Sequence, residues 1–255
     1  MTALALGSFG RNINRFSFRS SLPRVKNIMM HKKKQKVVVV GGAGFIGSNL
    51  VDALVAKQFD VHVIDNLCAG KRENVHKQAT LHVADILNLK AIKPIMRGAT
   101  YVFHLAALPR VQYSIEHPVE TNAVNVGGML NILVAATNAK VKRLIYSASS
   151  AAYGDSVKLP LKEDDPANPK SPYGLHKYIG ELYCRLWSAV YGLPTVSLRY
   201  FNVYGRRQSA EGAYALVIAK FFKQRAEGKP MTITGDGTQT RDFTSIHDVV
   251  KANLS

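Results

Sequence analysis

The sequence predicts an α/β fold, a doubly wound parallel sheet with a small C-terminal lobe. Three observations predict it. From Lys36 onward, short apolar runs alternate with stretches of helical spacing. The first run, KVVVVGG, is uniformly apolar rather than alternating, as in a strand buried on both faces. A glycine-rich turn, GGAGFIG, follows that run and opens a helix-spaced segment.

The elements follow in order. FIGSNLVDALVAKQ carries Ile46, Leu50, Leu54 and Val55 at helical spacing. VHVID (Val61–Asp65) is the second strand, and TLHVAD, YVFHLAA, KRLIYSAS and PTVSLRYF read as further strands. Helices between them are clearest at Val119–Asn138 and Tyr173–Val190. Beyond Asn202 the pattern loosens. A helix is expected over Ala213–Glu227, then a short strand MTIT, a loop GDGTQTRDF, and a helix in SIHDVVKANL that the chain end interrupts. Three parts result: a basic, disordered N-terminal extension (1–35), a nucleotide-binding sheet domain (36–201) and a partial lobe (202–255).

A chain of 255 residues can bury a substantial core. Its net charge of +17 invites a nucleic-acid reading, but the distribution argues against one. Residues 1–36 hold nine Lys/Arg and no acid, and the remaining excess of +8 suits an anionic ligand equally well. No aromatic–basic interleaving suggests base stacking, so no nucleic-acid partner is expected. The acid-free N-terminal segment reads as a transit peptide, a basic tail, or extra translated sequence before a start at Met29 or Met30. Cys68 and Cys184 lack metal-ligand spacing and make no disulfide framework. No metal is expected, and a reducing, cytoplasmic setting is. No apolar run approaches the ~20 residues of a membrane span.

The chemistry begins at Gly41, Gly44 and Gly47. Glycines there permit a tight turn and a close approach of backbone to a pyrophosphate at the helix N-terminus. A turn packed tightly for its own sake explains them equally well in isolation. Asp65 adds a carboxylate at the end of the second strand, where it can accept bonds from ribose hydroxyls and repel a 2′-phosphate. The combination points to a Rossmann-type NAD site, and NAD over NADP. A P-loop is disfavoured, since no Lys-Ser/Thr follows the glycines. Tyr173 and Lys177 in SPYGLHKYIGE share a helix face at i and i+4. With 11 Tyr in the chain, about one Tyr-x-x-x-Lys arises by chance, so this pair alone decides nothing.

GGAGFIG, HLAA (His104–Ala107), YSASSAAYG (Tyr146–Gly154), YGLHK and RYFNVYG (Arg199–Gly205) occur in this order. From Lys36 the chain resembles the extended short-chain dehydrogenases/reductases, and within them the nucleotide-sugar 4-epimerases acting on UDP-glucose, UDP-N-acetylglucosamine or their uronates. The resemblance implies NAD held by Gly41, Gly44, Phe45, Ile46, Gly47, Asp65 and Asn66. It places Asp85 and Ile86 by the adenine, Leu105, Ala106 and Ala107 along the cofactor groove, and Asn125 in support. It implies Ser149, Tyr173 and Lys177 as the catalytic set, Lys177 also holding a ribose. Asn202 and Arg241 would hold the diphosphate of a UDP-sugar, alongside Ser149 and Tyr173. It further implies a homodimer paired through the two long helices, and a substrate lobe that continues past residue 255, so that the lobe here looks truncated. Lysine and oxidised nicotinamide would both lower the Tyr173 pKa. Family dehydratases and decarboxylases carry extra carboxylates near the serine. SASSAAYG has none before Asp155, which favours simple epimerisation. Arg206 stands where relatives commonly have Pro. Arg110 and Tyr113, in PRVQYSIEHP, read either as specificity residues or as ordinary loop residues.

Overall fold

The computed structural model describes residues 34–156, 158–210, 217–233 and 235–255. Most of the basic N-terminal extension and the start of the helix expected at Ala213 lie outside the described residues.

Four consecutive valines begin the sheet. In β1 (Lys36–Val40), Val37 to Val40 are all completely buried. Each such burial stabilises the fold by roughly 1.5–3 kcal/mol relative to exposure. Side chains alternate across a strand, so Val37 and Val39 enter one core while Val38 and Val40 enter the other. This explains why the run is uniformly apolar.

Helix α1 (Phe45–Ala56) covers the Val37 face through Leu50, Val51 and Leu54. Strand β2 (Asp60–Asp65) and β3 (Thr80–Val83) extend the sheet to one edge. Helix α2 (Leu89–Met96), capped by the Asn88 side chain, buries Ile92 and Met96 on the Val38 face. Strand β4 (Ala99–His104) returns beside β1, and all six strands of the sheet run parallel in the order β3-β2-β1-β4-β5-β6. The strand order reverses between β1 and β4, which leaves a crevice at their carboxyl ends.

The expected long helix over Val119–Asn138 is present as one helical run, but its α-helical hydrogen bonding is interrupted by a π-helical turn. Short helices α3 (Val111–Glu116) and α4 (Pro118–Asn122) lead into a six-residue π-helical turn, Ala123–Gly128, before α5 (Met129–Asn138). Gly128 lies in that turn, where a Cβ would overlap Ile86. Helix α5 packs against α2 on the Val38 face through Met129, Ile132, Leu133 and Ala136.

Strand β5 (Arg143–Ser149) and β6 (Thr195–Tyr200) complete the sheet, joined through α6 (Pro172–Tyr191). The ends of α6 have sequence causes. Ser171 accepts from the Gly174 amide at 3.1 Å, Pro172 occupies the first turn, and Gly192 ends the helix at φ +66°.

Beyond the sheet, β7 (Val203–Tyr204) pairs with β8 (Thr244–Ser245). Between them lies α7 (Val217–Ala226), and α8 (Ile246–Leu254) follows β8. Val203, Ile246 and Val249 bury themselves against Phe45, Ile46 and Tyr200. The strand expected at MTIT is not found. Met231–Ile233 are exposed and irregular, and Thr232 is held to α7 by Gln224 through two side-chain bonds. Thr234 lies outside the described residues. Among the described residues no helix is long and apolar enough to cross a membrane, and no cluster of three or more His, Cys, Asp or Glu could hold a metal ion.

Candidate active site

The three fingerprint glycines have different physical reasons. Gly41, at φ +84°, donates to the Ile64 carbonyl at 2.8 Å, and a Cβ there would lie 2.5 Å from the Ala106 amide nitrogen. A Cβ on Gly47 would overlap the Gly41 carbonyl oxygen. Gly41 is required where the loops after β1 and β4 cross, and Gly47 where α1 packs on the loop that leads into it. Gly44 is not: its Cβ would meet nothing closer than Gly41 O at 3.4 Å, and its φ of −77° suits any residue. Gly44 is also the N-cap of α1, with no side chain capping that end. The missing side chain therefore leaves open the amide end of the helix, which is a cradle for an anion.

Asp65 is nearly buried. Its Oδ2 accepts from the Ala43 amide at 2.9 Å and its Oδ1 from the Leu67 amide at 2.9 Å. It thus shapes its own turn and ties it to the glycine loop. Each oxygen keeps a further lone pair for a hydroxyl donor. Asn66 donates to Asp85 Oδ2 at 2.9 Å, which joins the β2 and β3 ends. Ile86 is buried, and its carbonyl accepts from Asn131 at 2.9 Å. Leu105 and Ala106 donate their amides to the Val40 carbonyl at 2.8 and 2.9 Å, and Ala107 follows them at the crevice. Asn125, buried in the π-helical turn, clamps Leu108 from both sides, accepting its N–H at 2.8 Å and donating to its C=O at 3.1 Å. Open glycine cradle, carboxylate and crevice together fit a dinucleotide.

The expected catalytic residues meet at the carboxyl end of β5. Ser149 ends that strand and its hydroxyl accepts from the Ala151 amide at 3.2 Å; it also lies near enough to Tyr173, on the first turn of α6, to favour the phenolate. Lys177 lies one turn further along and is almost completely buried. Its ammonium donates to the Ser147 carbonyl at 2.7 Å and lies 5.1 Å from the centre of the Tyr146 ring. Burial lowers the Lys177 pKa to about 8.

The lysine half of the Tyr173 expectation is not met in the protein alone. Burial raises the Tyr173 pKa above its ordinary value, and the Ser149 hydroxyl offsets this only in part. The Lys177 ammonium is directed at the Ser147 carbonyl and does not lower it. The residues alone therefore keep the phenol protonated.

Asn202 and Arg241 line one groove of about 230 Å³ with Tyr204, Gln208 and Phe243. Asn202 donates to the Asp242 carbonyl at 3.0 Å, and the exposed Arg241 caps the Thr240 carbonyl at 2.7 Å. Arg206 is held by its carbonyl, which accepts from Asn49, while Arg207 pairs with Asp52 at 2.8 Å. Tyr113 donates to Glu120 at 2.8 Å, and Arg110 is exposed beside it.

Sequence reasoning missed several residues around this set. Ser114 of α3 is fully buried and accepts from the Tyr173 amide at 3.0 Å. His104 stacks on Tyr146 at 5.8 Å, and burial with the nearby Lys177 charge lowers its pKa to about 3. Gly180 was a usable signal: a Cβ there would overlap the Tyr146 ring, so the glycine marks a close approach of α6 to β5.

Comparison with known proteins agrees with this geometry. The model of the NAD dependent epimerase/dehydratase family matches residues 37–255. The UDP-glucose 4-epimerase of Thermotoga maritima, solved with UDP-glucose, is 39% identical with a TM-score of 0.84, over 86% of this chain and 72% of that one. The UDP-N-acetylglucosamine 4-epimerase of Methanobrevibacter ruminantium, solved with UDP-N-acetylmuramic acid, is 42% identical with a TM-score of 0.83, over 87% of this chain and 72% of that one. A UDP-N-acetyl-alpha-D-glucosaminuronate decarboxylase of Bacillus cytotoxicus is 35% identical over 87% of this chain and 71% of its own. With its six-stranded parallel sheet, its open glycine cradle and a family match that spans nearly all the described residues, the chain belongs to the NAD-dependent epimerase/dehydratase family.

Proposed function

We propose that this protein inverts C4 of a UDP-sugar by transient oxidation to a 4-keto sugar. One observation carries the reading: Tyr173 and the buried Lys177 stand one helical turn apart on α6, with the Lys177 ammonium bonded at 2.7 Å to Ser147 of the strand that ends in Ser149. NAD, when bound, supplies the acceptor for a hydride from C4 and the source of the hydride returned to it. Tyr173, as phenolate, takes the proton of the C4 hydroxyl and later returns it to the same oxygen. Ser149 hydrogen-bonds that oxygen in both directions. Lys177 contributes positive charge and a ribose contact. Burial opposes phenolate in the protein alone, so the positive charge that oxidised NAD would bring is what would favour Tyr173 as a base.

Gly44, Asp65 and the loop held by Asn125 support the assignment of the cofactor. The groove shared by Asn202 and Arg241 supports a diphosphate there, since a guanidinium fork suits that group. Leu175, Leu182, Leu186 and Val190 are exposed along α6, which supports a second copy of the chain as partner.

Decarboxylation is the second reading, favoured by the Bacillus cytotoxicus relative. Against it, Ser149 is followed by Ala151 and Ala152 in a 3₁₀ turn, with no carboxylate at that point. The protein should be incubated with NAD and UDP-glucose, UDP-N-acetylglucosamine or UDP-glucuronate, and the products separated by chromatography. A C4 epimer is expected. Loss of CO₂ from the uronate would favour decarboxylation, and NAD binding without turnover of any sugar would reduce the protein to a binding module.

A further inference from the structure

Tyr173 is the second residue of α6, so its amide has no acceptor within the helix. The acceptor comes from another element. Ser114 Oγ receives that amide at 3.0 Å and donates its own proton to the Val111 carbonyl at 2.6 Å. Ser114 is completely buried, and α3 packs directly on α6. The segment leading into α3 is fixed as well, because Asn125 clamps Leu108 through both of its backbone groups. The residue expected to move a proton is therefore held at its backbone by a hydroxyl from outside its own helix. The neighbouring cap works differently: Ser171 accepts from Gly174 and closes the helix end from within.

We propose that Ser114 is a positioning residue for Tyr173, pinning the first turn of α6 so that the phenol stays against Ser149. The inference rests on the reading of Tyr173 as the acid–base group. A proton-transfer group displaced by about 1 Å loses up to ~100-fold in rate, so a single hydroxyl in this position matters.

The test compares Ser114→Ala with Ser171→Ala in the full chain with NAD present. Three quantities are read: residue-resolved amide exchange, the titration of the Tyr173 ring followed by ¹³C NMR, and turnover of the UDP-sugar accepted by the wild type. In Ser114→Ala the Tyr173 amide should exchange at least ~10-fold faster, and kcat should fall ~10-fold with KM unchanged. The phenol should titrate lower, nearer its ordinary value, as water reaches it. Ser171→Ala should lower the melting temperature while leaving the Tyr173 amide protected. Protection of that amide in Ser114→Ala, or an unchanged kcat after its loss, overturns the proposal. If the wild type turns over no UDP-sugar, the epimerase reading fails by itself. Superimposable Tyr173 titration curves in wild type and Ser114→Ala would then reject Ser114 independently.

Discussion

Lys177 reaches beneath β5 and donates to the backbone carbonyl of Ser147 at 2.7 Å, the residue two before Ser149 on the same strand. The ammonium is thus tied to the strand that carries the serine. Burial lowers its pKa to about 8, against 10.5 for lysine in the unfolded chain. The folded state therefore resists the charged form. Below pH 8 this costs the fold a few kcal/mol, and the cost is relieved as pH rises from about 8 to 10.5, where only the unfolded chain still holds the proton. Lys177→Met should be the more stable protein at pH 7, with the gap narrowing across that window. Urea denaturation at a series of pH values measures it, and a gap that widens with pH would contradict the assignment.

Gly44 and Gly47 should respond oppositely to the same methyl group. Gly47→Ala drives a Cβ into the Gly41 carbonyl and should lower the melting temperature sharply. Gly44→Ala meets nothing closer than 3.4 Å and should melt like the wild type. Its NAD affinity should nevertheless weaken by ~10-fold, equivalent to about 1.4 kcal/mol. Calorimetric titration with NAD checks this, and equal affinities would remove the cradle from the site.

Tyr173→Phe removes only the phenol oxygen. Turnover should fall by ~10²–10⁴-fold, the range for loss of a general acid–base group, while NAD binding is retained. Full activity in this variant would exclude Tyr173 as the base.

Glu181 and Arg199 form a paired bridge between α6 and β6, with bonds of 2.8 and 2.7 Å. Arg199 also lies 4.2 Å from the centre of the Tyr153 ring. Arg199→Met leaves the buried Glu181 carboxylate with only the exposed Arg185, at 4.0 Å, and should destabilise by about 3 kcal/mol. Glu181→Met combined with Arg199→Met should recover much of that loss. A double variant no better than the single one would show that stacking on Tyr153, not charge, is the important term.

The fold was legible where burial on both faces imposes a pattern. KVVVV, VHVID and KRLIYSAS are short, β-branched-rich runs that read as strands, and GGAGFIG reads as a turn that opens a helix, as α1 does from Phe45. Short elements carry too few residues for a period to emerge. Helix α3 is hidden inside PRVQYSIEHP, where six residues show no clear period and nothing in the sequence marks Ser114 as buried. The π-helical turn at Ala123–Gly128 was equally hidden, since an apolar stripe tolerates one extra residue without losing its helical look. At the site, residue types were legible but their orientation was not. Lys177 and Tyr173 share a helix face as their spacing requires, yet the partner of the ammonium is a backbone carbonyl, and no side-chain pattern reports that.

The π-helical turn at Ala123–Gly128 has one more consequence. It holds one residue more than an α-helical path between the same ends, and each residue advances an α-helix by about 100°. Deleting a single residue there would regularise the hydrogen bonding yet rotate what lies on one side against the other by that angle. Either Asn125 would swing off Leu108, or Met129, Ile132 and Leu133 would leave the sheet. The extra residue acts as a phase shifter, letting one run of helix address a loop with its first half and a hydrophobic core with its second.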